Sequence, residues 1–554
     1  MTGQRVGLTL LSLLGACAPP SPGVPDDFLE SRFDAEVRWV ALGDDVRRGV
    51  IVPADVEKRI VVRTGPGSRF LADVAVVPDE RPPGLATRLE VGIERAGGTS
   101  APLHTEFLSS ASLVRTWKPI SVDLGSTSLG EAVLVLRSVT IGRGVGPQIA
   151  LANPMLVRDP GAPAKPNLIL LVVDTLRADH LGAYGHERPT SPFVDELARG
   201  GVLFERVVAQ SSWTKTSVPS MLTSTYPETN GVRRVDDRLS ERFATLAETL
   251  REEGYVTLAV QTNPWLRIES GAAHGFMEYA QPGWEGGAAR VNELALDALR
   301  RRPHRPFFLY LHYMDVHDPY TPLEDYRQFG AAPVDLYDGE IRQLDDQLSE
   351  FYDTLARFGL LADTLIALTS DHGEEFGEHG GRFHGGTLYE EQVRVPWILH
   401  WRHRLPEGRR EPRLVRNLDI APTLLSLVGI EIPPSFQGVD VLDSARDRAR
   451  QLEDLPSISQ VGLNDIAPRL DLLALTTSQW KLIVDRASGR RELYDLGRDP
   501  FERSNLAGRH HETLTKLERT IAGFVETSRV ERDMDRVPLG PEVVERLRSL
   551  GYLR

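Results

Sequence analysis

The sequence predicts an α/β protein: a doubly wound, mostly parallel sheet, preceded by a β-sandwich and followed by a small α+β subdomain. The strongest observation is that apolar strand-like runs alternate with helix patterns from residue 166 onward. Residues 28–160 instead carry short β-branched runs between Gly/Pro turns, and two short strand patterns and a helix pattern follow residue 425. The expected segments are 1–17, a signal peptide; 18–27, a Pro-rich linker; 28–160, the sandwich; 161–425, the main α/β domain; and 426–554, the C-terminal subdomain.

The N-terminal segment is expected to be antiparallel. Runs such as Ile60–Arg63, Ala72–Val77 and Ala132–Thr140 are separated by turn sequences such as Gly65-Pro66-Gly67, a pattern typical of β-sandwiches. One interpretation is a sugar-binding accessory module. The other is a domain that only packs against its neighbour.

Polar residues directly follow the predicted strands of the main domain. Leu168–Val173 is an unbroken apolar run, as expected for a strand buried on both faces, and Phe307–Leu311 and Thr364–Leu368 are similar. In a doubly wound sheet, ligands bind beyond the carboxyl ends of the strands. The acidic and imidazole residues at this predicted rim are Asp174, His312, Asp315, His317, Asp371 and His372.

Composition excludes several classes of function. The chain has 554 residues, 41% of them hydrophobic and 26% charged, which is typical of a globular protein. Its formal net charge of −14 argues against general nucleic-acid binding, which needs a basic surface. The single cysteine, Cys17, excludes an intramolecular disulfide and a Cys-based zinc cluster.

The N-terminus has the features of a secretion signal. Arg5 precedes an apolar stretch, Val6–Ala16, that is too short to span a bilayer. The sequence Leu14-Gly15-Ala16-Cys17 resembles a bacterial lipobox, whose cysteine is lipidated; a plain signal peptide is the alternative. We therefore expect an extracytoplasmic protein of the bacterial cell envelope that is anchored to a membrane through a lipid on Cys17.

Six separated blocks carry a further pattern. They are Asn167–Gly185, Ser212–Val232, His312–Tyr320, Thr369–Pro396, Leu418–Gly429 and Glu492–Ala507. In these blocks the chain resembles the sulfatase family of the alkaline phosphatase superfamily, in the family's order and over about residues 160–510. The resemblance implies that residues 161–425 form a catalytic domain for a small or glycan-type anionic ester.

The chain departs from the family at the nucleophile. Family sulfatases carry a Cys or Ser, oxidised to formylglycine, then x-Pro-Ser-Arg and, after four residues, Thr-Gly. Counting back from Thr223 puts Thr214 at the nucleophile position, whereas matching Val218-Pro219-Ser220 locally puts Ser217 there. The first register also aligns the Tyr226-Pro227 pair without a gap, so we favour it.

A threonine nucleophile changes the expected chemistry. Threonine is not a substrate for formylglycine oxidation, so Thr214 would attack directly, as in phosphoryl-transferring relatives of this superfamily. A phospho-enzyme can be hydrolysed by a metal-activated water. We therefore expect phosphate-ester chemistry on a sulfatase-like scaffold.

The resemblance implies one divalent metal, bound by Asp174, Thr214, Asp371 and His372. Thr175 replaces the family's second aspartate, and this loss of a carboxylate favours zinc or manganese, whereas the resemblance favours calcium. A second metal near Asp315 and His317 is an alternative, although their spacing differs from the Asp-x-x-x-His of two-metal relatives.

Three further residues are candidates for catalysis. His384 lies where many family members have a lysine that contacts the substrate, and His317 matches the family histidine that donates to a substrate oxygen or the leaving group. Lys215 either neutralises a bound anion or faces solvent.

Three residues are candidates for substrate binding. Arg177 either orients substrate or pairs with Asp179. His379 is a donor at the rim or a structural histidine, and Ser217 occupies the family's serine position in the favoured register.

We therefore expect a metal-dependent hydrolase of sulfate or phosphate esters that attacks through Thr214. The alternatives are a formylglycine sulfatase using Ser217, a phosphoethanolamine-type transferase, and a catalytically dead binding protein.

Overall fold

The computed structural model describes residues 28–78, 85–95, 101–109, 116–125, 130–157, 165–283, 286–301, 306–442, 455–462, 470–528 and 536–549. The expected signal peptide, the linker and Cys17 lie outside these residues. Within them, every helix is too short or too polar to cross a membrane.

Twenty-one strands and ten α-helices form the described part of the chain. The strands are β1 Val37–Leu42, β2 Asp45–Val52, β3 Glu57–Thr64, β4 Arg69–Val76, β5 Ala86–Glu94, β6 Pro102–Ser109, β7 Lys118–Asp123, β8 Gly130–Ile141, β9 Ile149–Val157, β10 Asn167–Val173, β11 Val202–Val208, β12 Val256–Gln261, β13 Glu278–Ala280, β14 Phe307–Tyr313, β15 Thr364–Thr369, β16 Arg394–His400, β17 Arg409–Arg416, β18 Ser457–Gly462, β19 Asp471–Thr476, β20 Trp480–Asp485 and β21 Arg491–Asp495. The helices are α1 Pro192–Arg199, α2 Thr214–Thr223, α3 Pro227–Asn230, α4 Leu246–Glu252, α5 Gly287–Arg300, α6 Pro333–Arg357, α7 Glu390–Val393, α8 Ile420–Leu427, α9 His511–Thr527 and α10 Pro541–Ser549.

The predicted fold class is confirmed. Strands β13, β12, β14, β10 and β15 lie side by side in parallel, and β16 joins them antiparallel. One apolar core lies on each face of this sheet, with α4 and α8 on one face and α1, α5 and α6 on the other. The strands are apolar throughout because both of their faces are buried.

The N-terminal sandwich is continuous with the main sheet. Its first sheet, β2-β9-β4-β7, extends the central sheet through a pairing of Glu278 with Arg47, and its second sheet is β3-β8-β5-β6. Arg47 is buried at this junction, with Asp73 at 2.8 Å and Glu278 at 3.7 Å. A buried cation between carboxylates ties the sandwich to the edge of the main sheet.

The C-terminal part is a four-stranded antiparallel sheet, β18-β19-β20-β21, covered by α9. The predicted strand patterns at 480–484 and 491–494 and the helix pattern at 510–525 correspond to β20, β21 and α9. Residues of α10 pack instead near Trp213 and Trp265, next to the rim of the main sheet.

The register of the parallel strands aligns their carboxyl ends. Val172 pairs with both His312 and Thr369, and His312 also pairs with Gln261. The loops that follow β10, β12 and β15 therefore leave the sheet at one level. This geometry brings residues from four distant parts of the sequence into one site.

Candidate active site

Thr214 lies at the centre of a buried polar cluster. It is the first residue of α2, and its Oγ1 lies 3.0 Å from His372 Nε2 and 3.3 Å from Asp174 Oδ2. The start of α2 is fixed by Trp213, whose ring packs edge-on against Trp265 with centroids 5.1 Å apart. The hydroxyl of Thr214 therefore has a fixed position at the strand ends.

Ser217 lies one turn further along α2 and has a different environment. Its Oγ donates a 2.6 Å hydrogen bond to the carbonyl oxygen of Asp371. Its hydroxyl thus supports the loop that carries Asp371, while the hydroxyl of Thr214 contacts side chains of the cluster.

The cluster fits a divalent cation. Asp174 Oδ1 and Asp371 Oδ2 are buried and have no hydrogen-bond partner among the described residues. His372 Nε2 lies 3.6 Å and 3.5 Å from these two oxygens, while its Nδ1 contacts the carbonyl oxygen of Gly373 at 3.0 Å. That contact places the ring proton on Nδ1, so Nε2 presents a lone pair. Two carboxylate oxygens and an imidazole nitrogen within 4.8 Å of one another form a suitable ligand set.

The two carboxyl groups have opposite pKa shifts. Burial acts to raise the pKa of Asp174, but the hydrogen bond with His312 and the charges of His372 and His317 outweigh it, so the pKa lies well below its usual range. Burial and the negative charge of Asp174 raise the pKa of Asp371 to about 8. A cation between them would favour the charged form of both.

Two residues of the cluster were not assigned a role from the sequence. Asn263, just after β12, donates from Nδ2 to Asp174 Oδ2 at 2.6 Å and to Thr214 Oγ1 at 3.3 Å. His312 Nε2 lies 3.1 Å from the same Asp174 oxygen, and its Nδ1 contacts Tyr310 OH at 2.8 Å. Asp174 Oδ2 is therefore occupied by protein donors, which leaves Oδ1 for a ligand.

His384 and His317 lie beside this cluster. The His384 ring lies 4.5 Å from that of His372 and 4.9 Å from that of His317, measured between centroids. Glu374, which the sequence did not single out, contacts His384 Nδ1 through Oε1 at 3.0 Å and accepts from Tyr320 OH through Oε2 at 2.9 Å. Glu374 therefore controls which nitrogen of His384 carries the proton.

Burial dominates the pKa values of this second group. Burial and the neighbouring His372 charge lower the pKa of His384 to about 3. Burial and the His384 charge also lower the pKa of His317, and burial raises the pKa of Glu374 to about 7. At neutral pH both imidazoles are thus neutral, and Glu374 is close to half protonated.

Lys215 is buried rather than facing solvent. Its side chain is only 3% exposed and makes no hydrogen bond or ion pair with the described residues. Burial and the positive charge of Arg267 lower its pKa to about 7, while Asp237 and Asp236 act in the opposite direction.

Two candidates for substrate binding make their contacts elsewhere. Arg177 forms ion pairs with Asp179 at 2.7 Å and Glu378 at 2.5 Å. Since these carboxylates occupy its guanidinium, the geometry favours the ion-pair interpretation over substrate binding. His379 lies against Tyr389, with ring centroids 3.8 Å apart, and contacts Glu391 at 2.6 Å, so it has a structural environment.

Asp315 does not face the cluster. Its Oδ1 accepts a 2.8 Å hydrogen bond from the backbone N–H of Ala288, at the start of α5. The alternative of a second metal near Asp315 and His317 gains no support, since neither residue belongs to a group of three or more potential ligands in the described chain. Thr175 also points away, because its Oγ1 donates to the carbonyl oxygen of Val316 at 3.0 Å.

A second group of potential metal ligands, elsewhere in the described chain, is already neutralised. It consists of His180, His186 and Asp338. Asp338 accepts from Arg188 at 2.8 Å and contacts His180 Nδ1 at 2.6 Å. The guanidinium already balances its charge, so this cluster has a structural explanation without an ion.

Comparisons with known proteins identify the family. The family model "Sulfatase" matches residues 166–430, and the model "N-sulphoglucosamine sulphohydrolase, C-terminal" matches residues 377–526. The arylsulfatase of Clostridium perfringens is 24% identical over 450 residues, covering 62% of this chain and 90% of that protein.

Two further relatives agree. The N-acetylgalactosamine-6-sulfatase of the dog, Canis lupus familiaris, is 26% identical over 420 residues, covering 63% of this chain and 77% of the relative. The phosphonate monoester hydrolase of Agrobacterium radiobacter has the same fold, with a TM-score of 0.56 and 20% identity over 68% of this chain and all of that one. The resemblance seen in the six sequence blocks is thereby confirmed: this chain belongs to the sulfatase family of ester hydrolases.

Proposed function

We propose that this sulfatase-family hydrolase cleaves anionic esters, preferentially of phosphate, by direct attack of Thr214. The observation that carries the proposal is the position of Thr214 Oγ1, which lies within 3.3 Å of Asp174, Asn263 and His372. Ser217, the alternative nucleophile, instead donates its hydroxyl proton to a backbone carbonyl. A phosphate ester suits a threonine nucleophile because a phospho-threonine can be hydrolysed in a second step.

The metal proposed for this site would be held by Asp174, Asp371 and His372, together with the oxygen of Thr214. When bound, it would supply Lewis-acid stabilisation of the negative charge that develops at the reacting oxygens. Zinc and manganese suit this ligand set, which includes an imidazole nitrogen.

The residues around Thr214 orient its hydroxyl. Asn263 donates to Oγ1, so it fixes one lone pair and leaves another for attack. The orientation of the Asn263 side chain is itself set, because its Oδ1 accepts from the backbone N–H of Trp265 at 2.8 Å. With His372 Nε2 assigned to the metal, the Thr214 proton points towards Asp174 Oδ2 at 3.3 Å, the oxygen of Asp174 that is not assigned to the metal. Such preorganisation lowers the entropic part of the barrier.

The leaving group needs a proton donor, and His384 is favoured over His317. His317 Nδ1 lies 2.6 Å from the carbonyl oxygen of Asp318, so the ring proton of neutral His317 lies on Nδ1 and its Nε2 carries no proton to donate. In contrast, protonated Glu374 can donate to His384 Nδ1, which leaves the His384 proton on Nε2. A neutral imidazole in this tautomer can donate to a leaving oxygen.

The relatives indicate the substrate class. One relative is named for the 6-sulfate of N-acetylgalactosamine, and one structural neighbour for phosphonate monoesters. We infer that the natural substrate is an anionic ester carried on a small molecule or a glycan.

A panel of aryl esters tests the proposal. Aryl phosphate, aryl phosphonate and aryl sulfate are each offered with zinc, manganese or calcium to the wild type, Thr214→Ala and Ser217→Ala. We expect kcat for the phosphate ester to fall roughly 10³-fold or more in Thr214→Ala, because no nucleophile remains. Ser217→Ala is the matched control and should retain most activity, since it removes only a loop hydrogen bond.

Two results would contradict the proposal. One is sulfate turnover that is lost in Ser217→Ala alone, with a mass loss of two hydrogens on the peptide carrying Ser217, which indicates formylglycine. The other is stoichiometric metal binding without turnover of any ester, which favours the binding-protein alternative.

A further inference from the structure

A small cavity lies beside Asn263, which contacts the proposed nucleophile. It has a volume of about 90 Å³, and its lining includes Asn263, Arg267 and Gln261, with Val543 of α10 also at its wall. Since Asn263 also donates to Thr214 Oγ1, only the width of one side chain separates the cavity from the reacting group.

One cation without a counter-ion lines this cavity, and a second lies near it. Arg267 lines it and makes no ion pair or side-chain hydrogen bond with the described residues. Lys215 is nearly fully buried, equally unpaired, and close enough to Arg267 for their charges to interact. Arg267 is half-buried and Lys215 fully buried, so their like charges repel each other unless an anion offsets them.

The acidic residues near Lys215 are already occupied. Asp237 Oδ2 accepts from the backbone N–H groups of Arg233 and Arg234 at 2.9 and 2.7 Å. Asp236 lies 3.7 Å from the guanidinium of Arg536. Glu269, an acid whose charge acts on Arg267, is exposed to solvent. None of these carboxylates forms an ion pair with Lys215 or Arg267 in the described part of the chain.

Gln261 provides a second, independent indication of a ligand. Its side chain is 1% exposed, and its Nε2 donates to the carbonyl oxygen of Leu266 at 3.1 Å. Its Oε1 is buried without a hydrogen-bond partner among the described residues. A buried acceptor of this kind costs free energy unless a donor reaches it, and a substrate hydroxyl or amide N–H can be that donor.

We propose that this cavity is a subsite for a second anionic group of the substrate, such as a carboxylate, which Arg267 neutralises with a contribution from the nearby charge of Lys215, while Gln261 accepts from a neighbouring hydroxyl or N–H. The inference rests on the proposed function and deepens it: the preferred substrate carries two anions, the ester that reacts and one a short distance away. Singly charged aryl esters would then be poor substrates.

The test compares a plain aryl ester with three esters that carry one additional charge. Phenyl phosphate and 2-, 3- and 4-carboxyphenyl phosphate are given to the full-length protein, with aryl sulfates replacing them if the wild type turns over sulfates. We expect at least one carboxylated ester to have a kcat/KM roughly 10-fold above that of the plain ester, the value of about one charged hydrogen bond. Arg267→Gln should abolish that preference and Lys215→Met should reduce it, whereas Arg242→Gln, which removes an exposed arginine outside the cavity, should retain it.

Three results would overturn the subsite. The first is turnover of the plain ester with no preference for any carboxylated ester. The second is a preference that persists in both Lys215→Met and Arg267→Gln. The third is an equal loss of kcat/KM for the plain and carboxylated esters in Lys215→Met, which would place Lys215 on the reacting group instead. If the wild type turns over no ester at all, the proposed function fails separately. In that case, equilibrium binding of the same esters to Thr214→Ala, with and without Lys215→Met, decides the subsite by whether the carboxylate tightens binding.

Discussion

At the residue scale, the pair of Glu374 and His384 makes a sharp prediction about pH. Burial raises the pKa of Glu374 to about 7. Below that pH, Glu374 is protonated and can donate to His384 Nδ1, so the N–H of His384 lies on Nε2, where it can serve a leaving group. Above that pH, the carboxylate accepts from Nδ1 and Nε2 loses its proton. We therefore expect kcat/KM to fall as pH rises through about 7, which a pH–rate profile of the wild type measures.

Substitution of Glu374 separates this account from a structural role. Glu374→Gln places an amide N–H where the protonated acid has its O–H, so we expect activity within a few-fold of the wild type at low pH and no fall near pH 7. Glu374→Ala removes the donor and should lower kcat roughly 10- to 100-fold, at the lower end of what a general acid contributes. Tyr320→Phe is the control, because it removes only the bond to the other oxygen. A Gln variant with the wild-type profile would assign the pH dependence to another group.

Single residues also show how far the sequence could predict the site. Asp174, Asp371 and His372 were predictable because each directly follows a recognisable apolar strand. Asn263 follows one too, but an asparagine next to a proline is the usual signature of a turn and gives no chemical signal. Glu374 was hidden among acidic neighbours in a loop, since no rule of spacing distinguishes an acid that orients a histidine from one that faces solvent.

At the scale of elements, helix α6 carries a buried acid whose ionisation opposes folding. Glu340 is 5% exposed, and its Oε1 accepts from the N–H of Thr321 at 2.6 Å. Burial, with a contribution from the charge of Asp315, raises its pKa to about 8. The native state therefore binds this proton more tightly than the unfolded state, whose glutamate titrates near its ordinary pKa. The contribution of Glu340 to stability is complete at low pH and is lost as pH rises from about 4.5 to 8.

Glu340→Gln should remove this dependence. The amide oxygen keeps the bond to Thr321, and no charge is left to bury. We expect the variant to be more stable than the wild type at pH 8 by on the order of 2 kcal/mol, with little difference at pH 5. Urea unfolding at the two pH values measures the effect. Glu350→Gln, at an exposed position of the same helix, is the control, and an equal gain from both variants would contradict the burial argument.

The same helix shows why element boundaries were harder to predict than the elements themselves. The sequence predicts a helix over Gly339–Phe358, whereas α6 spans Pro333–Arg357. The amphipathic pattern marks the part that packs on the sheet. The first turn begins at a proline, a residue that suits the first position of a helix. The residues before Tyr337 are not buried, so they contribute little to the amphipathic pattern.

At the scale of the whole molecule, segments from both ends of the chain meet the central α/β domain. The sandwich extends the main sheet at Arg47, and α10 from the far end of the chain reaches the cavity beside Asn263. The sequence predicted the sandwich and the C-terminal subdomain as separate segments, because periodicity reports local structure. That the first sheet of the sandwich joins the central sheet depends on a short long-range pairing of β2 with β13, which no local pattern encodes.

The C-terminal sheet is attached to the main domain by a buried ion pair network. Lys481 of β20 is fully buried, and its Nζ lies 3.0 Å from both Glu390 of α7 and Glu502. Glu502 Oε2 also accepts from the backbone N–H of Glu390 at 2.6 Å. Since α7 follows the loop that carries His384, this attachment also stabilises one wall of the site.

Removal of the lysine should therefore affect stability and activity together. Lys481→Met leaves two carboxylates facing each other without a cation, a change that costs about 3–5 kcal/mol when one partner of a buried pair is lost. Lys516→Met, on the exposed face of α9, should change stability by less than about 0.5 kcal/mol. Urea unfolding measures both variants, and limited proteolysis detects release of the C-terminal sheet. If Lys481→Met is as stable as the Lys516 control, the attachment depends on the apolar contacts of the sheet alone. If the variant is destabilised but still folded and fully active, the C-terminal sheet does not support the loop of His384.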